Sequence, residues 1–142
     1  MIYTVMTKKA LKICFEAHKN QVDKTGLPYV FHPFHLAEQM DDEDSVCVAL
    51  LHDVVEDTNI TFEVLENEGI NNSVIEALKL LTHNKDVPYM DYVMELKSNQ
   101  LAKKVKLADL THNSDLSRLN NVTEEDKQRV QKYQQAIQLL SN

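Results

Sequence analysis

The most constraining feature of this sequence is a set of ionisable residues within an apolar segment. Residues 45–57 have the apolar pattern of a buried helix, yet they include His52, Asp53, Glu56 and Asp57. Burying an uncompensated imidazole or carboxylate is costly. On one continuous helix these four side chains would share an edge about two turns long. Because a metal ion would offset the cost for the whole set, this edge is predicted to be a metal and catalytic site.

The composition favours helices over strands. The chain has 142 residues but only two glycines and three prolines, so the tight turns of β-hairpins are scarce. Leucine, glutamate, lysine, glutamine and alanine are abundant, and all of them favour helix. We predict an all-α fold, a single domain over residues 1–142 built as a bundle of about seven to eight helices.

Several helix boundaries carry recognisable signals. Thr7 is a candidate N-cap for the first helix. Pro33 suits the first position of a second, which leaves His32 at the loop corner before it. Thr61 is predicted to cap a short helix that Gly69 ends. Further helices are predicted at 72–83, 88–97, 100–116 and 124–140, the last preceded by a Thr123–Asp126 capping box.

A second polar interruption lies late in the chain, where Asp109 and Asn113 are i,i+4 neighbours. If this helix packs beside the first, Asp109 can join His52 and Asp53, and His32 can supply a fourth ligand. Two imidazoles and two carboxylates suit Mn(II), Fe(II) or Zn(II), and the absence of thiolates favours Mn(II).

A divalent cation lowers the pKa of water that it binds, and hydrolysis of a phosphoester needs such water. Glu56 and Asp57 are candidates to orient or deprotonate that water and to protonate the leaving oxygen. Asn113 is a candidate hydrogen-bond donor to the substrate.

The net charge and the lack of long apolar segments argue against several classes of protein. A net charge of −7 without a basic stripe argues against a nucleic-acid partner. No segment has the length of a membrane span and no secretory signal is evident, so a cytoplasmic protein is expected.

The other notable residues are expected to have structural roles only: free core thiols for Cys14 and Cys47, a solvated face for Lys103, Lys104 and Lys106, core packing for Phe15, Phe34, Met90 and Tyr92, and surface, capping or packing roles for His18, His35, His83 and His112.

The candidate ligands also match a known pattern. His32, His52-Asp53 and Asp109 resemble the H…HD…D motif of the HD-domain metal phosphohydrolases. The surrounding segments, over about residues 10–119, resemble the hydrolase domain of RelA/SpoT homologues and the small stand-alone hydrolases of that family: HKNQ at 18–21, KTGLPYVFHP at 24–33, LLHDVVEDT at 50–58 and KLADLTHN at 106–113.

The resemblance implies an all-helical, Mn(II)-dependent enzyme that removes the 3′-pyrophosphate of (p)ppGpp, the guanosine 3′,5′-polyphosphates. It also implies roles for individual residues: His32, His52, Asp53 and Asp109 as Mn(II) ligands, Glu56 and Asp57 as the catalytic acidic pair, and Lys24 and Asn113 as contacts to nucleotide and phosphate.

Two positions depart from the family pattern. Asp23 stands where the family usually has an arginine packing on guanine, and Leu110 where an arginine often follows the last metal aspartate. Two alternatives therefore stay open: the same chemistry on another nucleotide phosphate, or a catalytically silent nucleotide-binding module. Glu56 and Asp57 argue against the second, because carboxylates in a binding site repel phosphate.

Overall fold

The computed structural model describes residues 1–142, and the α-helix dominates throughout. Nine helices follow in chain order: α1 (Val5–His18), α2 (Phe31–Glu38), α3 (Glu43–Leu51), α4 (Val54–Asp57), α5 (Phe62–Asn67), α6 (Asn72–Leu81), α7 (Tyr89–Leu96), α8 (Gln100–Asn113) and α9 (Glu124–Ser141). A 3₁₀ turn at Leu116–Arg118 connects α8 to α9. The only strand-like pairing is an isolated bridge between Val22 and Pro28. The predicted all-α class is confirmed. None of the helices is both long and apolar enough to span a bilayer.

Side-chain caps explain where most helices begin. Thr61 accepts a hydrogen bond from the Val64 amide, and Gly69, at φ +91°, follows that helix as predicted. The Thr123–Asp126 capping box before α9 is also confirmed. The prediction for α1 was wrong by one turn. Thr4 is the N-cap, and Thr7 completes a capping box with it from inside the helix.

Helix α3 lies at the centre of the bundle. It packs against α1, α2, α6 and α8, and its residues Val46–Leu51 are at most 1% exposed. Cys14 and Cys47 are buried free thiols, as predicted. The sequence left the placement of the C-terminal helix open, and the structure packs α9 across α7 and α8.

The predicted continuous helix over 45–57 is interrupted at the ionisable pair. Helix α3 ends at Leu51, His52 and Asp53 form a turn, and α4 starts at Val54. Asp53 adopts φ −109° and ψ 0°, outside ideal helix geometry, while the hydroxyl of Tyr29 donates to its carboxylate. The four ionisable groups therefore do not line one helical edge. If α3 and α4 are counted as one interrupted helix, the bundle has eight helices, which agrees with the predicted seven to eight.

Two further expectations need correction. His32 lies inside the first turn of α2 rather than at a loop corner, because α2 starts two residues before Pro33. Phe15 and Phe34, expected in the core, are 54% and 41% exposed and line an apolar groove of about 710 Å³ between α1 and α2. Helical spacing marks an apolar face, but it does not show that another element covers that face.

The core should dominate stability. Leu78 in α6 is 1% exposed, and Leu78→Ala is expected to lower the free energy of unfolding by about 2–5 kcal/mol through lost apolar contact and cavity formation. The matched control is Leu27→Ala, whose side chain is 54% exposed and should cost less than about 0.5 kcal/mol. Urea unfolding monitored by circular dichroism measures both, and equal losses would contradict the assignment of this core.

Candidate metal centre

Two histidines and one aspartate converge in the interior, from α2, from the turn that follows α3, and from α8. The potential ligand atoms of His32, His52 and Asp109 all lie within 4.8 Å of one another, and all three residues are buried. His32 Nε2 is 2.9 Å from Asp109 Oδ1, and His52 Nε2 is 3.6 Å from the same oxygen. The packing of α3 against both α2 and α8 produces this convergence.

Asp53, the fourth predicted ligand, adjoins this cluster through His52. Its Oδ2 lies 3.1 Å from His52 Nε2 and accepts a hydrogen bond from the Tyr29 hydroxyl. Burial opposes the charge on Asp53, but the neighbouring imidazole lowers the pKa of this carboxyl to about 2. Tyr29 therefore holds Asp53 in position beside the cluster, and His52 keeps this carboxyl ionised.

His52 provides a test of whether these residues fit a cation. Its Nδ1 lies 2.6 Å from the carbonyl oxygen of Ala49, which can only accept, so Nδ1 carries a proton. Nε2 is fully buried, has no hydrogen-bond partner, and faces the carboxylates of Asp53 and Asp109. Although burial opposes protonation, the two carboxylates raise the pKa of His52 well above its usual value. A positive charge is thus favoured at this point, and a divalent cation bound by the three side chains would satisfy it.

His112 orients the ring of His32. The two Nδ1 atoms are 2.7 Å apart, and the rings stack with centroids 5.0 Å apart. Burial, followed by the nearby Arg118 guanidinium, lowers the pKa of His112 to about 4, so this imidazole is neutral at pH 7. The Nδ1 of neutral His112 can accept a hydrogen bond from the Nδ1–H of His32, which leaves His32 Nε2 directed at the cluster. This role of His112 is not predictable from its surroundings in the sequence.

Lys106 was expected on a solvated face, and this expectation was wrong for its ammonium group. Its side chain is 14% exposed, and its Nζ lies 3.1 Å from Asp109 Oδ2. Asn113 Nδ2 donates to the other oxygen, Oδ1, over 3.0 Å. Burial opposes ionisation of Asp109, yet Lys106 and the histidines hold its pKa well below the usual range. By contrast, Lys104 is a surface lysine paired with Asp41 and Asp42.

The predicted acidic pair lies beside the cluster. Glu56 lines a small cavity of about 90 Å³, here called the Glu56 pocket, together with His52, Asp53 and Asp109. Its Oε1 accepts the backbone N–H of His83 over 2.8 Å, which fixes the carboxylate. Asp57 follows on α4, where burial and the charges of Asp53 and Glu56 raise its pKa to about 6. A carboxyl with that pKa can hold a proton close to neutral pH.

A second pocket, of about 330 Å³, contains both predicted substrate contacts, Lys24 and Asn113. We call it the arginine pocket, because Arg118 and Arg129 line it as well. Tyr29 and Asn113, which contact Asp53 and Asp109 respectively, form its side towards the His32/His52/Asp109 cluster. Neither arginine was predicted as a site residue. Their only sequence signal is rarity, because no other arginine occurs in the chain.

An all-helical bundle with a buried His-His-Asp cluster between two polar pockets has the architecture of an HD-type hydrolase. The sequence comparisons give the same class. The chain is 34% identical, in an alignment of 145 positions, to the guanosine-3′,5′-bis(diphosphate) 3′-pyrophosphohydrolase MESH1 of Danio rerio. The alignment covers 92% of this chain and 79% of that protein. For MESH1 of Xenopus tropicalis the identity is 37% over 143 residues, covering 88% and 76%. No family model matches the sequence.

More distant relatives agree. The bifunctional (p)ppGpp synthase/hydrolase SpoT of Escherichia coli is 30% identical over 121 residues, covering 75% of this chain and 17% of that protein. The fold matches a solved structure of a metazoan SpoT ortholog that hydrolyses ppGpp, with a TM-score of 0.80, 25% identity, and coverage of 99% and 88% of the two chains. The chain belongs to the family that comprises the MESH1 pyrophosphohydrolases and the hydrolase domain of SpoT.

Proposed function

We propose that this protein hydrolyses the 3′-pyrophosphate of ppGpp and pppGpp, releasing GDP or GTP and pyrophosphate. The supporting observation is its identity of 34% and 37%, over most of both chains, to the two MESH1 pyrophosphohydrolases. The buried cluster of His32, His52 and Asp109 supports the same reaction, because it lies between a pocket with carboxylates and a pocket with basic residues.

The proposed cofactor is Mn(II), with His32, His52, Asp53 and Asp109 as its ligands. Nitrogen and carboxylate oxygen donors suit Mn(II), and neither cysteine belongs to the cluster. When bound, a divalent cation supplies Lewis-acid chemistry and activates water for attack on phosphorus. His112 and Tyr29 keep His32 and Asp53 in position for it.

The chain supplies the remaining groups of the proposed reaction. Glu56 and Asp57 are proposed to handle the protons: Glu56, held by the His83 amide, orients the attacking water and accepts its proton, and Asp57 protonates the leaving oxygen. Lys24 and Asn113 are proposed to contact the nucleotide and its phosphates from the arginine pocket. Lys106 keeps Asp109 ionised from the opposite side.

The proposed partner is a small nucleotide, and the acidic total charge of −7 argues against nucleic acid. We further propose that residues 1–142 act as one domain in the cytoplasm. A second candidate function, the same hydrolysis on another nucleotide phosphate, is favoured by Asp23, which replaces a family arginine in the arginine pocket. A panel of nucleotides assayed under the same conditions separates the two functions.

The proposed function predicts strictly metal-dependent turnover. Protein stripped with EDTA should leave ppGpp intact, and Mn(II) should restore release of GDP and pyrophosphate more effectively than Mg(II) or Zn(II). Anion-exchange chromatography of the nucleotides measures the reaction, and metal analysis of the purified protein reports what it carries. Undiminished turnover after stripping would contradict the metal-dependent reaction. Tight binding of ppGpp without turnover under any metal would instead favour a silent binding module.

A further inference from the structure

The arginine pocket gathers a residue type that is otherwise missing from the chain. Of 15 basic residues only Arg118 and Arg129 are arginines, and both line this pocket. Each is held by an aspartate, Arg118 by Asp23 and Arg129 by Asp126. Arginine differs from lysine in offering a rigid planar group that stacks on flat ligands. The placement of both arginines here indicates a pocket for a ligand with a planar part.

Arg118 has both ends of its guanidinium engaged within the protein. Nη1 donates to the carbonyl oxygen of His112 over 2.9 Å, and Nη2 lies 3.5 Å from Asp23 Oδ2. The side chain is nevertheless 25% exposed. Two of the five guanidinium N–H groups are used within the protein and the charge is offset by a carboxylate, so the planar face is the part of Arg118 best suited to a flat, neutral ligand.

Asp23 is itself fixed, so it can serve as an anchor. Its Oδ1 accepts from the backbone N–H groups of Thr25, over 2.8 Å, and Leu27, over 3.1 Å. The turn that these bonds close contains Gly26, whose φ of +83° suits glycine. Its other oxygen, Oδ2, faces Arg118. A carboxylate at this place repels phosphate, so the phosphates of a nucleotide are disfavoured next to it.

Lys24 is in the opposite situation. It is exposed at the edge of the same pocket and has neither an ion pair nor a hydrogen bond, so its ammonium is available to an anionic group. Lys24 therefore offers a free charge to the pocket, whereas Arg118, paired with Asp23, offers its planar face.

We propose that Arg118 packs on the base of the nucleotide, with Asp23 as the residue that positions it. This inference rests on the proposed function, whose substrate supplies the base. The guanidinium that packs on the base would then belong to Arg118, and not to position 23, where the family usually has an arginine. Asp23 occupies the position of the family's usual arginine, and its ion pair with Arg118 would hold the arginine that takes over that role.

The test measures binding of GDP and of inorganic pyrophosphate by calorimetry in EDTA, which requires neither metal nor turnover. Arg118→Ala and Arg118→Lys should each weaken GDP binding by about tenfold or more, near the loss of one stacking contact, and leave pyrophosphate binding unchanged. The lysine variant keeps the charge but has no planar face. Lys127→Ala, an exposed cation outside the pocket, is the control and should bind GDP normally.

Removal of Arg118 also leaves Asp23 unpaired, so the double variant Asp23→Asn/Arg118→Ala separates a lost contact from new repulsion. The double variant should remain as weak as Arg118→Ala, with circular dichroism confirming that each variant is folded. The inference is overturned if Arg118→Lys binds GDP like the unsubstituted protein, if pyrophosphate binding falls in parallel, or if the double variant regains affinity. Arg118-dependent GDP binding by a protein that leaves ppGpp intact would support this inference and contradict the proposed function alone.

Discussion

Replacement of His52 by alanine is expected to reduce turnover of ppGpp on the order of a thousandfold, which corresponds to ~4 kcal/mol of activation free energy. The imidazole presents a buried Nε2 with no hydrogen-bond partner to Asp53 and Asp109. Without it, the two carboxylates lose the group that neutralises or shares a cation with them, so metal affinity should fall together with activity. Asp53→Ala should have a comparable effect, because its carboxylate lies 3.1 Å from the same nitrogen.

His35→Ala is the matched control for His52→Ala. His35 is an exposed histidine on α2 that touches the cluster only through the ring of His112, and its variant should keep most of its turnover. Metal content measured on the purified variants, together with thermal melting, separates loss of the ion from loss of the fold. A folded His52→Ala protein that works within about tenfold of the original would refute the proposed metal centre.

The second large effect is expected from the acidic pair. Asp57→Asn should lower kcat by about 10²–10⁴-fold with little change in KM, as removal of a general acid does. Burial, with the charges of Asp53 and Glu56, raises the pKa of Asp57 to about 6. A proton donor is active while protonated, so the kcat of the unsubstituted enzyme should decline as the pH rises through this value. The asparagine variant should lack that decline.

Glu56→Gln tests the partner residue without disturbing its backbone contact. The amide oxygen of glutamine can still accept the His83 N–H, so only the charge is removed, and a loss of about 10²-fold or more is expected. Glu95→Gln, an exposed carboxylate on α7, serves as the control. Measurement of kcat and KM over a pH series covers all these variants. Unchanged kcat in both Asp57→Asn and Glu56→Gln would remove the acidic pair from the reaction.

Structural features that depend on residues close together in the chain were predicted correctly from the sequence. The caps at Thr61 and Thr123, the stop at Gly69 and the buried pattern of α3 were predictable, because each depends on residues within four positions of one another. The interruption at His52 and Asp53 was missed. It coincides with a contact that no local pattern shows, because Tyr29, 24 positions away, donates to the Asp53 carboxylate.

The candidate site shows the same division. Residue types and spacing predicted that His32, His52 and Asp109 would meet, and the structure brings them together. Their role as metal ligands stays a prediction. Lys106 was missed as a partner of Asp109, although its position one turn before a buried carboxylate was a usable signal.

The sequence by itself determined the helical class, most helix boundaries and the family, because apolar periodicity, caps and motif residues are written locally along the chain. Only the tertiary structure decided that His112 orients His32, that α9 brings Arg129 to the arginine pocket, and that Arg118 pairs with Asp23. The His112–His32 and Arg118–Asp23 contacts join residues 80 and 95 positions apart. The physical reason is that such contacts depend on how whole helices pack, which no local pattern of side chains specifies.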